Sequence, residues 1–481
     1  KINFEEFVQA VADTLKQFYR KVIKNQGHEY YIFMRNEGWT KGDSCTCRAM
    51  FYRELKDTYS KGYEYVKNNL DRYCGINIFN PNSSEVEKNF QDKMLKDKDE
   101  FMKYINSGKL SKVVSMLPPN PQSSIEMFGK DQSVLPFRDN NCWDFKLHNF
   151  RSLNMNDYFV EEHKAKFKLE TVLNEDYDQE IMSVLCDWLT PRGQKPDVET
   201  VQQLINAVYR MLKGEVSRYL NLLTGETKNG KSMFLKLLDS LYPLTSPLSQ
   251  KIFIEQKNPS SISSELVALE KHRIGYFSEG SGKLNEELIK RITGGDSIVI
   301  RDLHKSEYTA RVQCSIFMTC NKPPQTSGEN AINARMRVWF FPNTYEVNHE
   351  FSNRIEKVLG PHFLGFIIRR ANMDEPEVIT EAMKKATEYI TYQNDVIQQY
   401  LAETEDYASD PEGKFKLQQF KDDINTWLRV NNETPKKKGE ISHLLDLKDF
   451  KEKNFGKEGR WRVGLRRTAK ADLDTQSRFL E

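Results

Sequence analysis

The stretch Gly225-Glu226-Thr227-Lys228-Asn229-Gly230-Lys231-Ser232 most narrows what this chain can fold into. It fits G-x-x-x-x-G-K-S/T at every position, and its flanks are the ones that pattern requires. A strand-like apolar run, Tyr219-Leu220-Asn221-Leu222-Leu223-Thr224, leads in. An amphipathic stretch carrying Met233, Phe234, Leu235, Leu237, Leu238 and Leu241 leads out. Glycines at 225 and 230 let the backbone turn tightly, so successive N–H groups point inward at phosphate oxygens. The start of a helix adds the positive end of its dipole. Lys231 would neutralise the β- and γ-phosphates of a nucleoside triphosphate, and the Ser232 hydroxyl would hold Mg²⁺. These eight residues predict triphosphate binding; they do not say what the energy of hydrolysis is used for.

Downstream comes Arg273-Ile274-Gly275-Tyr276-Phe277-Ser278-Glu279, a short apolar strand ending in a carboxylate. An ATPase needs an acid on a neighbouring strand to organise Mg²⁺ and polarise the attacking water, and Glu279 is the candidate. Ser278 stands where many such enzymes carry a first acid, which leaves the metal mainly to Ser232 and water. Residues 283–293 read as a helix with Leu284, Leu288 and Ile292 on one face, closed by Gly294-Gly295. Two β-prone runs, 297–300 and 308–312, flank Arg301-Asp302-Leu303-His304-Lys305-Ser306-Glu307 and predict a hairpin with a charged tip. A further apolar strand, 315–320, ends at Asn321, which is placed to orient the lytic water or sense the γ-phosphate. Arg335 and Arg337 precede another apolar run, where an arginine can reach a γ-phosphate in cis or across a subunit boundary.

The order of these segments resembles superfamily 3 helicases, and specifically the poxvirus-type primase–helicases of large DNA viruses. The resemblance runs through Leu223-Thr-Gly-Glu-Thr-Lys-Asn-Gly-Lys-Ser232, Phe277-Ser-Glu279, Leu288-Ile-Lys-Arg-Ile-Thr-Gly-Gly-Asp296, Thr319-Cys-Asn-Lys-Pro323 and Arg335-Met-Arg-Val338, within residues 223–341. The segment 288–296 is its most specific part. The resemblance implies an α/β fold: an AAA+-like P-loop NTPase core with a mainly helical N-terminal region and a C-terminal winged-helix-like domain. It implies a hexameric ring that hydrolyses ATP between subunits and draws single-stranded DNA through its centre. Carried onto this sequence, Lys231 and Ser232 bind phosphate and Mg²⁺, Glu279 is the catalytic acid and Asn321 the sensor. Arg335 is the first choice for the trans-acting finger and Arg337 the second. His304 and Lys305, with Arg301 a weaker addition, match the hairpin that grips DNA. An upstream primase module or other replication proteins are the implied partners, and the host cytoplasm the implied location. No primase carboxylate cluster is evident, so priming is not expected.

Composition sets the remaining bounds. A 481-residue chain with 38% hydrophobic and 29% charged residues rules out wholesale disorder, collagen and coiled coil. At ~150 residues per domain its length suggests about three domains, and the missing initiator Met suggests a fragment or processed product. The expected organisation is a helical N-terminal region (1–126), with Phe4, Phe7, Val8, Val11, Leu15 and Phe18 at helical spacing, followed by a pre-motor segment (127–205). The motor (206–345), a helical connector (346–392) and a basic C-terminal domain (393–481) complete it. A net charge of +2 names no partner, but its distribution is uneven: residues 434–470 carry +7 and the rest −5. Trp461 lies within that basic stretch, a composition suited either to a nucleic-acid surface or to a merely solvated tail. Seven scattered Cys fit a reducing setting, and Cys45, Cys47 and Cys74 lack zinc-ligand spacing. No signal peptide and no membrane-spanning apolar run is present. Two other readings of the P-loop stay open: an ATPase that packages DNA or remodels protein, and a scaffold whose assembly is controlled by nucleotide.

Overall fold

The computed structural model describes residues 19–24, 27–34, 38–43, 45, 49, 53, 129, 131–254, 266–278, 282–301, 307–326, 330–431, 433 and 435–468. The chain divides into two compact units, Lys1–Glu170 and Thr171–Glu481. The division falls inside the expected 127–205 segment, because the helices that follow Thr171 pack with the motor.

In the first unit, β1 (Tyr19–Lys24), β2 (Gly27–Met34) and β3 (Gly38–Gly42) form an antiparallel sheet. This corrects the helical expectation for residues 19–42. Tyr30, Tyr31, Ile32 and Phe33 are aromatic and β-branched residues that favour a pleated surface, and β1 returns directly into β2. Phe4 and the rest of the predicted helical stripe lie outside the described residues. Trp39 stacks on Tyr158 at 5.6 Å, and its Nε1 donates to the Met155 carbonyl at 2.9 Å. A second meander, β4 (Val134–Pro136), β5 (Asn141–Asp144) and β6 (Asn149–Ser152), buries Leu135, Phe137 and Cys142. Arg151 clamps it, donating to Asp144 at 2.9 Å and to both Asp157 oxygens at 2.8 Å.

The second unit opens with α1 (Asp178–Leu189) and α2 (Val198–Leu212). Among the described residues its central sheet has five parallel strands in the order β13-β7-β12-β9-β8: Met336–Phe340, Leu220–Thr224, Ser315–Cys320, Ile274–Phe277 and Thr245–Pro247. Strands β7, β9 and β12 are buried on both faces, as near-continuous apolar runs in a parallel sheet must be. Between them run α3 (Lys231–Ser240) and α4 (Glu286–Gly294), the latter capped by the Asn285 side chain and ended by Gly295 at φ +73°. Strands β10 (Ser297–Ile300) and β11 (Tyr308–Arg311) pair as the expected hairpin. Helices α5 (Gly360–Arg370) and α6 (Glu381–Asn394) follow β13, and α6 packs along it.

The chain ends in a separate core: α7 (Val396–Thr404), β14 (Tyr407–Phe415), α8 (Leu417–Val430), α9 (Lys438–Leu447), β15 (Glu452–Asn454) and β16 (Arg460–Arg467). Its antiparallel sheet has the order β14-β16-β15. Tyr400, Phe420, Ile424, Ile441, Leu445 and Leu465 fill the space between sheet and helices. No helix of the described residues is long and apolar enough to cross a membrane.

Candidate nucleotide site

The loop between β7 and α3 lies at the carboxyl rim of the parallel sheet, where β7 has β12 on one side and β13 on the other. Crevices at such a rim are where open α/β sheets take their ligands. Gly225 adopts φ +140°, and a Cβ there would lie 2.4 Å from the Phe341 carbonyl oxygen. Gly230 adopts φ +95°, and a Cβ there would strike the Trp188 indole at 2.7 Å. Both glycines are thus required twice over, by backbone conformation and by space. Glu226, Thr227, Lys228 and Ser232 are exposed, whereas Gly225, Asn229 and Lys231 are buried.

Lys231, at the first turn of α3, folds back over the loop. Its Nζ donates to the Gly225 carbonyl (2.8 Å), the Glu226 carbonyl (2.7 Å) and Asn229 Oδ1 (2.8 Å). Burial pushes its ammonium down from 10.5 to about 8. Asn229 also donates through Nδ2 to the Phe341 carbonyl at 3.1 Å, stapling the loop to the end of β13.

The chain after β13 holds the loop from outside. The Tyr345 N–H donates to the Lys228 carbonyl at 2.8 Å. Asn343 Nδ2 donates to the Asp187 and Thr190 carbonyls, both at 2.7 Å, and its Oδ1 accepts from the Arg192 N–H at 3.0 Å. Trp188, Asn343 and Tyr345 are therefore positioning residues that sequence reasoning missed. They lie some forty residues before the loop or more than a hundred after it, in no motif; the Pro342-Asn343 pair directly after an apolar strand was the one available signal.

Cys320 is the register partner of Thr224, so Asn321 and Gly225 leave the sheet side by side. Both line a cavity of about 900 Å³, together with Glu226, Pro191, Phe340 and Tyr389. Phe277 pairs with Met318, so β9 exits at the same rim. Glu279 itself, and the hairpin residues His304 and Lys305, lie outside the described residues; Arg301 is exposed at the end of β10.

The two arginines part company. Arg337 is an interior residue of β13, 2% exposed, ion-paired with Glu377 and stacked 4.2 Å from the Tyr219 ring centroid. It serves its own chain's packing and is not presented at a surface, which corrects its candidacy as a finger. Arg335 precedes the strand, half-buried, with Nη1 donating to the Ala331 carbonyl at 2.8 Å. Its own carbonyl accepts from the Leu220 N–H at 2.7 Å, at the amino end of β7. Across four residues at ~3.3 Å each, it sits more than ~13 Å from the loop of its own chain.

Fold and site together define a mixed α/β protein with a glycine loop at the rim of a parallel sheet. The sequence matches over residues 223–335 a family described only as one of unknown function, DUF5906. That span runs from the strand before the loop to Arg335. The chain is also 29% identical over 171 residues to an Acanthamoeba polyphaga mimivirus protein provisionally named as a helicase. The match takes in 34% of this chain and only 18% of that relative's length. Among solved structures, the apo C-terminal region of NrS-1 is similar over 60% of this chain and 75% of its own, at 12% identity and a TM-score of 0.37. A JCV helicase structure is similar over 49% of this chain and 62% of its own, at 12% identity and a TM-score of 0.28.

Proposed function

We propose that this chain is the motor of an ATP-dependent, ring-forming DNA helicase of viral genome replication, with an AAA+-like P-loop core and a winged-helix-like C-terminal domain. The observation that carries this reading is the Lys231 latch. The buried ammonium is closed onto two main-chain carbonyls and Asn229 Oδ1, and a triphosphate is the ligand whose charge draws it off them. The amides of residues 225–230 and the start of α3 would then take the β- and γ-phosphate oxygens.

Mg²⁺ fits the donors at hand. Ser232 is an exposed hard-oxygen ligand, Glu279 follows β9, one strand beyond β12 in the sheet, and this ion keeps much of its shell as water and phosphate. When bound it neutralises developing phosphate charge. Glu279 accepts the proton of the attacking water, and Asn321 orients that water from the adjacent strand end. Arg335 is too far from its own loop to act there, so it stabilises the γ-phosphate of a neighbouring copy. The hairpin of β10 and β11, with Arg301, His304 and Lys305, holds single-stranded DNA. One or two cations per subunit suffice there because a ring multiplies them, which reconciles a net charge of +2 with DNA binding.

Mixing Arg335→Ala with wild-type subunits tests the shared site. Activity should fall more steeply than dilution. Loss in simple proportion, or a monomer by mass in the presence of ATP and DNA, would reject the intersubunit mechanism.

A further inference from the structure

The C-terminal sheet sorts its charged residues by face. On the inner face, Arg462 is 2% exposed and donates to Ser442 (2.6 Å), Asp446 (2.5 Å) and the Phe450 carbonyl (2.5 Å), tying β16 to α9. Its neighbours on either side, Trp461 and Val463, therefore point the other way. The antiparallel registers build two rows across that outer face. Lys453 is directly opposite Trp461, and Phe415 opposite Arg462, so the next residue, Lys416, flanks Trp461 from the other side. Lys414 is opposite Val463, whose N–H donates to the Lys451 carbonyl at 3.3 Å.

We infer that this outer face, with Lys414, Lys416, Lys451 and Lys453 around Trp461, is a second binding platform for single-stranded nucleic acid, separate from the hairpin. Two of these lysines come from β14 and its end, outside the basic segment evident in sequence; only strand pairing gathers the four. The lysines flank an aromatic surface, the combination that binds single strands without sequence preference. Lys416 Nζ lies 4.0 Å from the Trp461 ring centroid, and Lys414 Nζ 3.9 Å from that of Phe455 in the adjoining turn. A base takes the place of the ammonium over the ring, and the ammonium moves to the phosphate beside it. The acids at the rim are weak competitors: Glu458 is 3.4 Å from Lys414 and Asp449 is 3.3 Å from Lys451, both exposed pairs. Unpaired bases are required, because the bases of a duplex keep their faces stacked inside. Helix α9 is the less suitable surface: Glu440 caps its own helix and Asp446 is committed to Arg462, leaving Lys437 and Lys438 at one end.

The test uses the full chain without nucleotide, so its result does not depend on the ATPase reading. Anisotropy of labelled oligo-dT and of a matching duplex is followed over a salt series. Trp461→Ala should weaken oligo-dT binding about tenfold or more, and Trp461→Phe should restore most of it. Lys416→Ala with Lys453→Ala should flatten the log–log salt slope by about 1.4, some 0.7 for each phosphate no longer neutralised. Basal ATP turnover should not change in any of these. Unchanged oligo-dT affinity in the Trp461→Ala and double-lysine proteins overturns the platform. So does tighter binding of the duplex that survives Trp461→Ala, or single-strand binding abolished entirely by Lys305→Ala.

Discussion

Lys231 donates to the carbonyl of Gly225 across 2.8 Å, so the first glycine of the loop is closed off by the cation six residues later. The loop thereby satisfies itself, and on the proposed reading a triphosphate would have to displace three acceptors. Lys231→Ala should lower the unfolding midpoint, because it leaves three acceptors of the loop unpaired, and abolish ATP turnover. A steady-state assay that finds full turnover would remove the phosphate site from this loop.

Burial sets a pH dependence on the same residue. With an ammonium near 8 in the free protein, Lys231 is cationic below that pH and loses its proton above it. A bound triphosphate raises the value, so between the two values binding takes up a proton. Affinity should therefore be flat below pH 8 and fall above it, by at most tenfold per pH unit. Calorimetry in two buffers of different ionisation heat should detect proton uptake near pH 8.5 and little near pH 7.

Gly230→Ala places a side chain at φ +95° and into Trp188. The strain should cost about 1–3 kcal/mol and open the loop away from α1. A lowered unfolding midpoint together with weakened nucleotide binding is expected; an unaltered midpoint would mean Trp188 gives way freely.

Arg335 and Arg337 should separate cleanly. Arg337→Met breaks the ion pair with the solvent-exposed Glu377 and removes the stacking on Tyr219, costing about 1–2 kcal/mol in denaturant unfolding. Arg335→Ala should cost under about 0.5 kcal/mol while removing DNA-stimulated turnover of the assembly. The reverse pattern would exchange their roles.

Lys305→Ala should spare nucleotide binding and abolish strand separation, read by a fluorescence unwinding assay. Unwinding at the wild-type rate would take the hairpin out of the DNA path.

The local features were legible because local chemistry writes them. Gly225 to Ser232 declares its turn and helix start, residues 315–320 and 274–277 declare buried strands, and 297–300 with 308–311 declare a hairpin. Each depends on neighbours within a few positions. The strand order was not legible, since sequence does not say that β12 lies between β7 and β9; that follows from which apolar faces can be covered together. Trp188, Asn343 and Tyr345 reach the loop only through folding. Arg335 and Arg337 look equivalent in sequence, yet β13 turns one into the interior and leaves the other at its entry. The strands of residues 19–42 were hidden by an apolar pattern that suits helix and sheet alike. In the C-terminal domain, sequence gives the count of lysines, and pleat and register decide which of them stand beside Trp461. Short-range propensity carries the first kind of information; the second exists only once distant segments share a core.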